Sequence, residues 1–82
     1  MKREHLADFE QRLIEMIMEE ITYGEDVRPE TDLLLTGLVD SISIIRIVVW
    51  IEEYLDITID PGDVVIDDFQ TVAHMVAYAN RR

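Results

Sequence analysis

The chain has no cysteine. That excludes disulfides and thiolate metal sites, and any thiol chemistry must come from an added group. Glycine and proline are scarce, at three and two residues, while 49% of the chain is hydrophobic; this composition fits a compact helical fold and not a disordered tail. Basic residues are also few, 7 against 18 acidic, for a net charge of −11. Phosphate backbones repel such a chain, which argues against a nucleic-acid binder, and the same repulsion argues against an anionic membrane surface. No apolar run reaches the ~20 residues of a membrane span. The most apolar stretch, residues 42–51, is interrupted by Ser43 and Arg46, so no stable membrane insertion is expected. The start of the chain leads into an acidic amphipathic stretch without an apolar signal region, and a cytoplasmic protein is the expectation. The acidity suits partners with a basic docking face, which long-range attraction would help the domain to find.

What the chain does have is helical periodicity, in a length that suits one small domain with a modest core. There is no internal repeat or low-complexity tract. Residues from about 4 to 22 place Leu6, Phe9, Leu13, Ile14, Ile17 and Ile21 on one stripe, faced by Glu10, Arg12, Glu15, Glu19 and Glu20. Tyr23-Gly24 supplies the stop. The segment from there to Asp40 is long for a connection in so small a domain. Its leucines, Leu33, Leu34, Leu35 and Leu38, with Val39, predict that it is packed down.

The second helix is rich in Ile and Val and by propensity alone would suit a buried strand. Period decides the matter: Ile44, Ile47, Val48, Ile51 and Leu55 fall on one helical face, and the pattern persists to Tyr54 without a turn residue. Asp60-Pro61-Gly62 opens a new short element, with Pro in a first helical turn, and residues 64–66 suit a short helix or an irregular turn. A last helix is predicted to start at Asp67 as N-cap, with Gln70 completing a capping box. Its expected buried stripe is Phe69, Val72, Ala73, Val76 and Ala79, and Arg81 and Arg82 stand at the negative end of its dipole. The architecture implied is all-α: three main helices plus one short helix, with a long loop between the first two.

The segment Gly37-Leu38-Val39-Asp40-Ser41-Ile42 stands at the mouth of the apolar second helix. Gly37 permits a tight bend, Leu38 or Val39 can anchor the loop in the core, and Asp40 can cap the helix. Ser41 is the only serine with an acidic residue directly before it. A hydroxyl at a helix entrance is well placed for modification with an anionic group, which the dipole and the first-turn amides favour. Asp-Ser before an apolar helix is by itself a common helix start. The longer string Asp32-Leu33-Leu34-Leu35-Thr36-Gly37-Leu38-Val39-Asp40-Ser41-Ile42 is much rarer. If the core face is as assigned, Ile42, Ile45 and Val49 point to solvent, in a strip edged by Arg46, Glu52 and Glu53. A contiguous apolar strip beside a candidate site suggests docking. Trp50 falls between the two faces and reads as core-edge packing.

These residues resemble the attachment site of acyl and peptidyl carrier proteins. The likeness extends over nearly the whole chain, through residues 52–59 closing the second helix and residues 68–72 entering the last. It implies a small carrier-protein-like four-helix bundle, with residues 1–82 as a single acyl/peptidyl carrier domain. It also implies that Ser41 bears a 4'-phosphopantetheine arm, taken from coenzyme A by a phosphopantetheinyl transferase with Mg2+, on which acyl or aminoacyl groups ride as thioesters. The protein would then be a stand-alone carrier phosphoprotein and not an enzyme, addressed by an acyl- or aminoacyl-loading ligase and by downstream biosynthetic enzymes. Residues 36–41 are most similar to free-standing carriers loaded by adenylating ligases, such as D-alanyl and peptidyl carriers. Two departures from fatty-acid carriers stand out: Ile42 replaces their usual Leu, and Arg46 stands where they usually have an acidic residue. A monomer is expected, because the domain closes its own core.

Other readings fit less of the chain. A serine hydrolase lacks the G-x-S-x-G elbow around Ser41, and only His5 and His74 could serve as base. Read as an EF-hand loop from Asp56, the chain puts Pro61 at the required glycine and Asp67 at the bidentate glutamate position, so the match fails. A cofactor-free acidic helical adaptor, binding partner proteins through the Ile42/Ile45/Val49 strip, accounts for charge and exposed apolar residues but not for the placement of Ser41.

Overall fold

The computed structural model describes the backbone of residues 3–81 and the side chains of residues 8–81. Three α-helices run in order, α1 (Arg3–Glu20), α2 (Ser41–Leu55) and α3 (Val72–Arg81), and no strand occurs among the described residues. Helix α1 packs against both α2 and α3. Phe9, Leu13, Met16 and Ile17 form its buried face, whereas Ile14 and Ile21 lie half-buried at the edge. The side chains of His5 and Leu6, and all of Arg82, lie outside the described residues. The helix ends as the sequence suggests, with Gly24 at φ +101°, but Tyr23 also takes a left-handed φ of +53°. The Gly24 amide donates to the Met18 carbonyl (2.7 Å) and the Thr22 amide to the Ile17 carbonyl (2.9 Å), which satisfies carbonyls of the last turn.

Helix α2 confirms that period outweighs β-branched propensity here. Ile44, Ile47, Ile51 and Leu55 are buried, and Val48 is half-buried at the margin of that face. The helix runs one residue past Tyr54 and closes on Asp56, which adopts φ +56° as a left-handed cap without a glycine. Trp50 sits at the core edge as expected, stacked on Tyr54 with ring centroids 5.0 Å apart and on Phe9 at 5.9 Å.

The short element expected between α2 and α3 takes the form of two single-turn 3-10 helices, Pro61–Asp63 and Ile66–Phe69. Asp60 caps the first, accepting from the Gly62 amide at 2.8 Å. The second changes the start of α3. Asp67 and Gln70 do not form a capping box, because the chain is in 3-10 geometry there; Thr71 caps α3 instead, its hydroxyl accepting from the His74 amide at 3.0 Å. A 3-10 turn advances fewer residues per turn than an α-helix, so a 3.6-residue phase counted from Phe69 does not carry into α3. The buried face is Val72, Met75, Tyr78 and Ala79; Ala73 is exposed and Val76 half-buried. Phe69 is buried from the 3-10 turn itself. Arg81, in the last turn of α3, donates to Asp68 at 2.9 Å and ties the helix end back to that turn. No described helix is long and apolar enough to cross a membrane.

Candidate functional site

The loop from α1 to α2 is packed down by its own residues. Val27, Leu33 and Val39 enter the core. Leu33 and Val39 also close on each other, the Val39 amide donating to the Leu33 carbonyl at 3.0 Å. Between them the chain bulges outward through Leu35, Thr36 and Gly37, all exposed. Gly37 takes φ +77°, and a Cβ there would meet nothing within 4 Å; backbone angle, not space, requires glycine at this bend. The Asp32 carboxylate organises the bulge. Its Oδ1 accepts from the amides of Leu35 (2.8 Å) and Leu34 (3.2 Å), and its Oδ2 accepts from the Gln70 side-chain amide (2.7 Å). Those bonds, led by the one from Leu35, hold its carboxyl below the usual carboxylate range. Thr36 folds back to donate its hydroxyl to the Asp32 carbonyl at 2.6 Å.

This strut delivers the chain to the head of α2. Asp40 is extended and its Oδ1 accepts from the Ser43 amide at 2.8 Å, the N-cap bond expected of that residue. The Ser43 amide, and after it the Ser43 hydroxyl, lower the Asp40 pKa. The two serines of the chain therefore differ. Ser43 is half-buried and engaged by Asp40, whereas Ser41, the first residue of α2, is exposed. Its hydroxyl sits where first-turn amides and the positive end of the helix dipole favour an anion.

Along α2 from Ser41, Ile42, Ile45 and Val49 are 72%, 63% and 46% exposed. Ile45 and Val49 form a ridge between two clefts. One, of about 570 Å³, lies toward Ile59, Pro61 and Val64; the other, of about 310 Å³, lies toward Met16 and Trp50. Two polar residues beside the ridge, Arg46 and Glu52, have internal duties that their sequence positions do not disclose. Arg46 donates to the Glu20 carbonyl and to Glu20 Oε1, both at 3.3 Å, and so covers the C-terminal end of α1. Glu52 is half-buried and accepts from the Ile59 amide at 2.8 Å, pinning the segment after α2. Glu53 is exposed. His74 lies on the α3 surface, its Nδ1 2.6 Å from the Thr71 hydroxyl.

Sequence reasoning places Asp40 and Ser41 at the helix entrance but misses Asp32 and Gln70 as partners. The only local signal is Asp32 itself, an Asp whose carboxylate can accept from amides two and three residues on.

The structure thus presents a small helical domain of net charge −11 with an exposed serine at the head of α2. A family model described as a phosphopantetheine attachment site matches residues 11–79. The chain belongs to that family and is a phosphopantetheine carrier protein, a substrate of phosphopantetheinyl transferases and not a catalyst. Comparison with curated proteins and with solved structures gave no match.

Proposed function

We propose that Ser41 bears the 4'-phosphopantetheine arm, and that the chain is an acyl or aminoacyl carrier of the kind loaded by adenylating ligases. The difference between the two serines carries the assignment. Ser41 is exposed at the head of α2, whereas Ser43 is half-buried and held by Asp40. In the attachment step the Ser41 oxygen forms a phosphoester bond to the phosphorus nearest the pantetheine. The bond joining that phosphorus to the diphosphate bridge breaks, the nucleotide leaves with the other phosphate, and the hydroxyl proton is released. The residues fit the group: Ser41 stands at the N-terminal, positive end of the α2 dipole, and it is exposed. When bound, the arm supplies a terminal thiol that holds the cargo as a thioester.

The ligase-loaded type is supported by Thr36-Gly37-Leu38-Val39-Asp40-Ser41 and by Arg46, a cation within the surface where fatty-acid carriers are usually acidic. The Ile42, Ile45 and Val49 ridge is the proposed docking surface for transferase, ligase and downstream enzymes. Glu53 is exposed on its rim, while Arg46 and Glu52 already hold α1 and the segment after α2. The test is intact mass after incubation with a promiscuous phosphopantetheinyl transferase, coenzyme A and Mg2+. A gain of one phosphopantetheine unit that Ser41→Ala abolishes supports the reading. No gain with several transferases, from protein shown to be folded, would turn it toward a cofactor-free adaptor.

A further inference from the structure

The loop that delivers Ser41 is sewn to the entrance of α3, far along the chain. Three bonds make the seam. The Leu33 amide donates to the Gln70 carbonyl at 2.9 Å, the Ala73 amide donates to the Pro29 carbonyl at 2.9 Å, and the Gln70 side-chain amide donates to Asp32 Oδ2 at 2.7 Å. The first two use only backbone and would survive most substitutions. The third depends on two side chains, neither of which hydrogen-bonds to Ser41.

On the Asp32 side, the same carboxylate that takes the Gln70 amide also gathers the amides of Leu34 and Leu35. The bulge between Leu33 and Val39 is thus fixed from within by Oδ1 and from across the fold by Oδ2. Val39 is buried and is followed directly by Asp40 and Ser41. There is no slack between the clamped loop and the hydroxyl. Gln70 sits between the second 3-10 turn and Thr71, the cap of α3, so that junction sets where the loop lies.

We infer that Asp32 and Gln70 are positioning residues for loading at Ser41: their bond holds the loop in the one arrangement that the transferase docks against. The inference rests on Ser41 being the loaded residue. Releasing the bond lets the loop sample other arrangements and lowers the fraction competent to dock. Apparent affinity falls by that fraction while the chemistry of a docked molecule is unchanged. The effect therefore belongs in KM for the apo protein and not in kcat.

The experiment is steady-state loading by a phosphopantetheinyl transferase well below the melting temperature of every variant, with amide hydrogen exchange of residues 33–43 on the same unloaded samples. Gln70→Ala removes only the side-chain bond of the seam and should raise KM about threefold. Asp32→Ala removes the whole clamp and should raise it about tenfold, with kcat unchanged. Asp32→Asn keeps an oxygen for the two loop amides, and Gln70 can turn its own oxygen toward the new amide; KM should stay within about twofold of the parent. Because Gln70 acts through Asp32, the double Ala variant should match Asp32→Ala alone. Exchange in residues 33–43 should quicken in the order of the KM values. Variants that melt earlier and exchange faster yet load with parental KM would show a merely structural clamp and overturn the inference. So would Ala effects that multiply. A parent that gains no arm at Ser41 would instead overturn the reading of Ser41, and this inference with it.

Discussion

The Val39 amide donates to the Leu33 carbonyl at 3.0 Å, and both side chains are buried, Leu33 completely. The loop between them is closed into a rigid turn by a pair that belongs to the hydrophobic core. Leu33 lies in no helix, yet it should behave as a core residue. Leu33→Ala is expected to cost about 2–5 kcal/mol, the range for emptying a packed leucine site. Urea unfolding followed by circular dichroism would show this as a lower midpoint at unchanged slope.

Asp40 and Asp32 both have carboxyl groups held below the usual range by amide donors, from Ser43 and Leu35 foremost. The unfolded chain then binds protons more readily than the folded one. The stabilisation is present above the ordinary carboxylate value of about 3.9 and is lost as pH falls through the lower folded values. The gap in melting temperature between the parent and Asp40→Asn should be open at neutral pH and should narrow below about pH 4. Melting curves across pH 7 to about 2 test the sign; a gap that widens toward acid would contradict it.

Tyr54 donates its hydroxyl to the Asp8 carboxylate, and that bond, with partial burial, raises its pKa above the ordinary tyrosine value. Here the stabilisation is present at neutral pH and is lost as pH rises through the raised value. Asp8→Asn should bring the Tyr54 midpoint back toward about 10 in an ultraviolet absorbance titration.

The exposed ridge on α2 should separate docking from folding. Ile45→Ser and Val49→Ser remove apolar surface that is already in water, so folding stability should move by no more than about 0.5 kcal/mol. If the ridge is the docking surface, transferase KM should rise at least about fivefold in the double variant. Unchanged kinetics would move the docking surface elsewhere.

Much of this arrangement is legible in the amino-acid sequence alone. The period of Ile44, Ile47 and Ile51 gives α2 against its propensity, and the same count gives the exposure of Ile42, Ile45 and Val49. Asp40 as a cap is a local signal and holds. The start of α3 is not legible, because the 3-10 turn at Ile66–Phe69 breaks the phase and Thr71 takes the cap from Asp67. Partners that depend on tertiary contact are hidden for a different reason. Arg46 meets Glu20, and Asp32 meets Gln70, only once the helices have packed. No spacing rule reaches that far.

Attachment of the arm to Ser41 underlies everything proposed above, and locating the arm tests it without intermediaries. Protein loaded by a transferase would be digested and the modified peptide fragmented to assign the site. The phosphopantetheine is expected on Ser41, with Ser43 bare, and modification should be abolished in Ser41→Ala but retained in Ser43→Ala. An arm found on Ser43, or loading that persists in Ser41→Ala, would contradict the assignment.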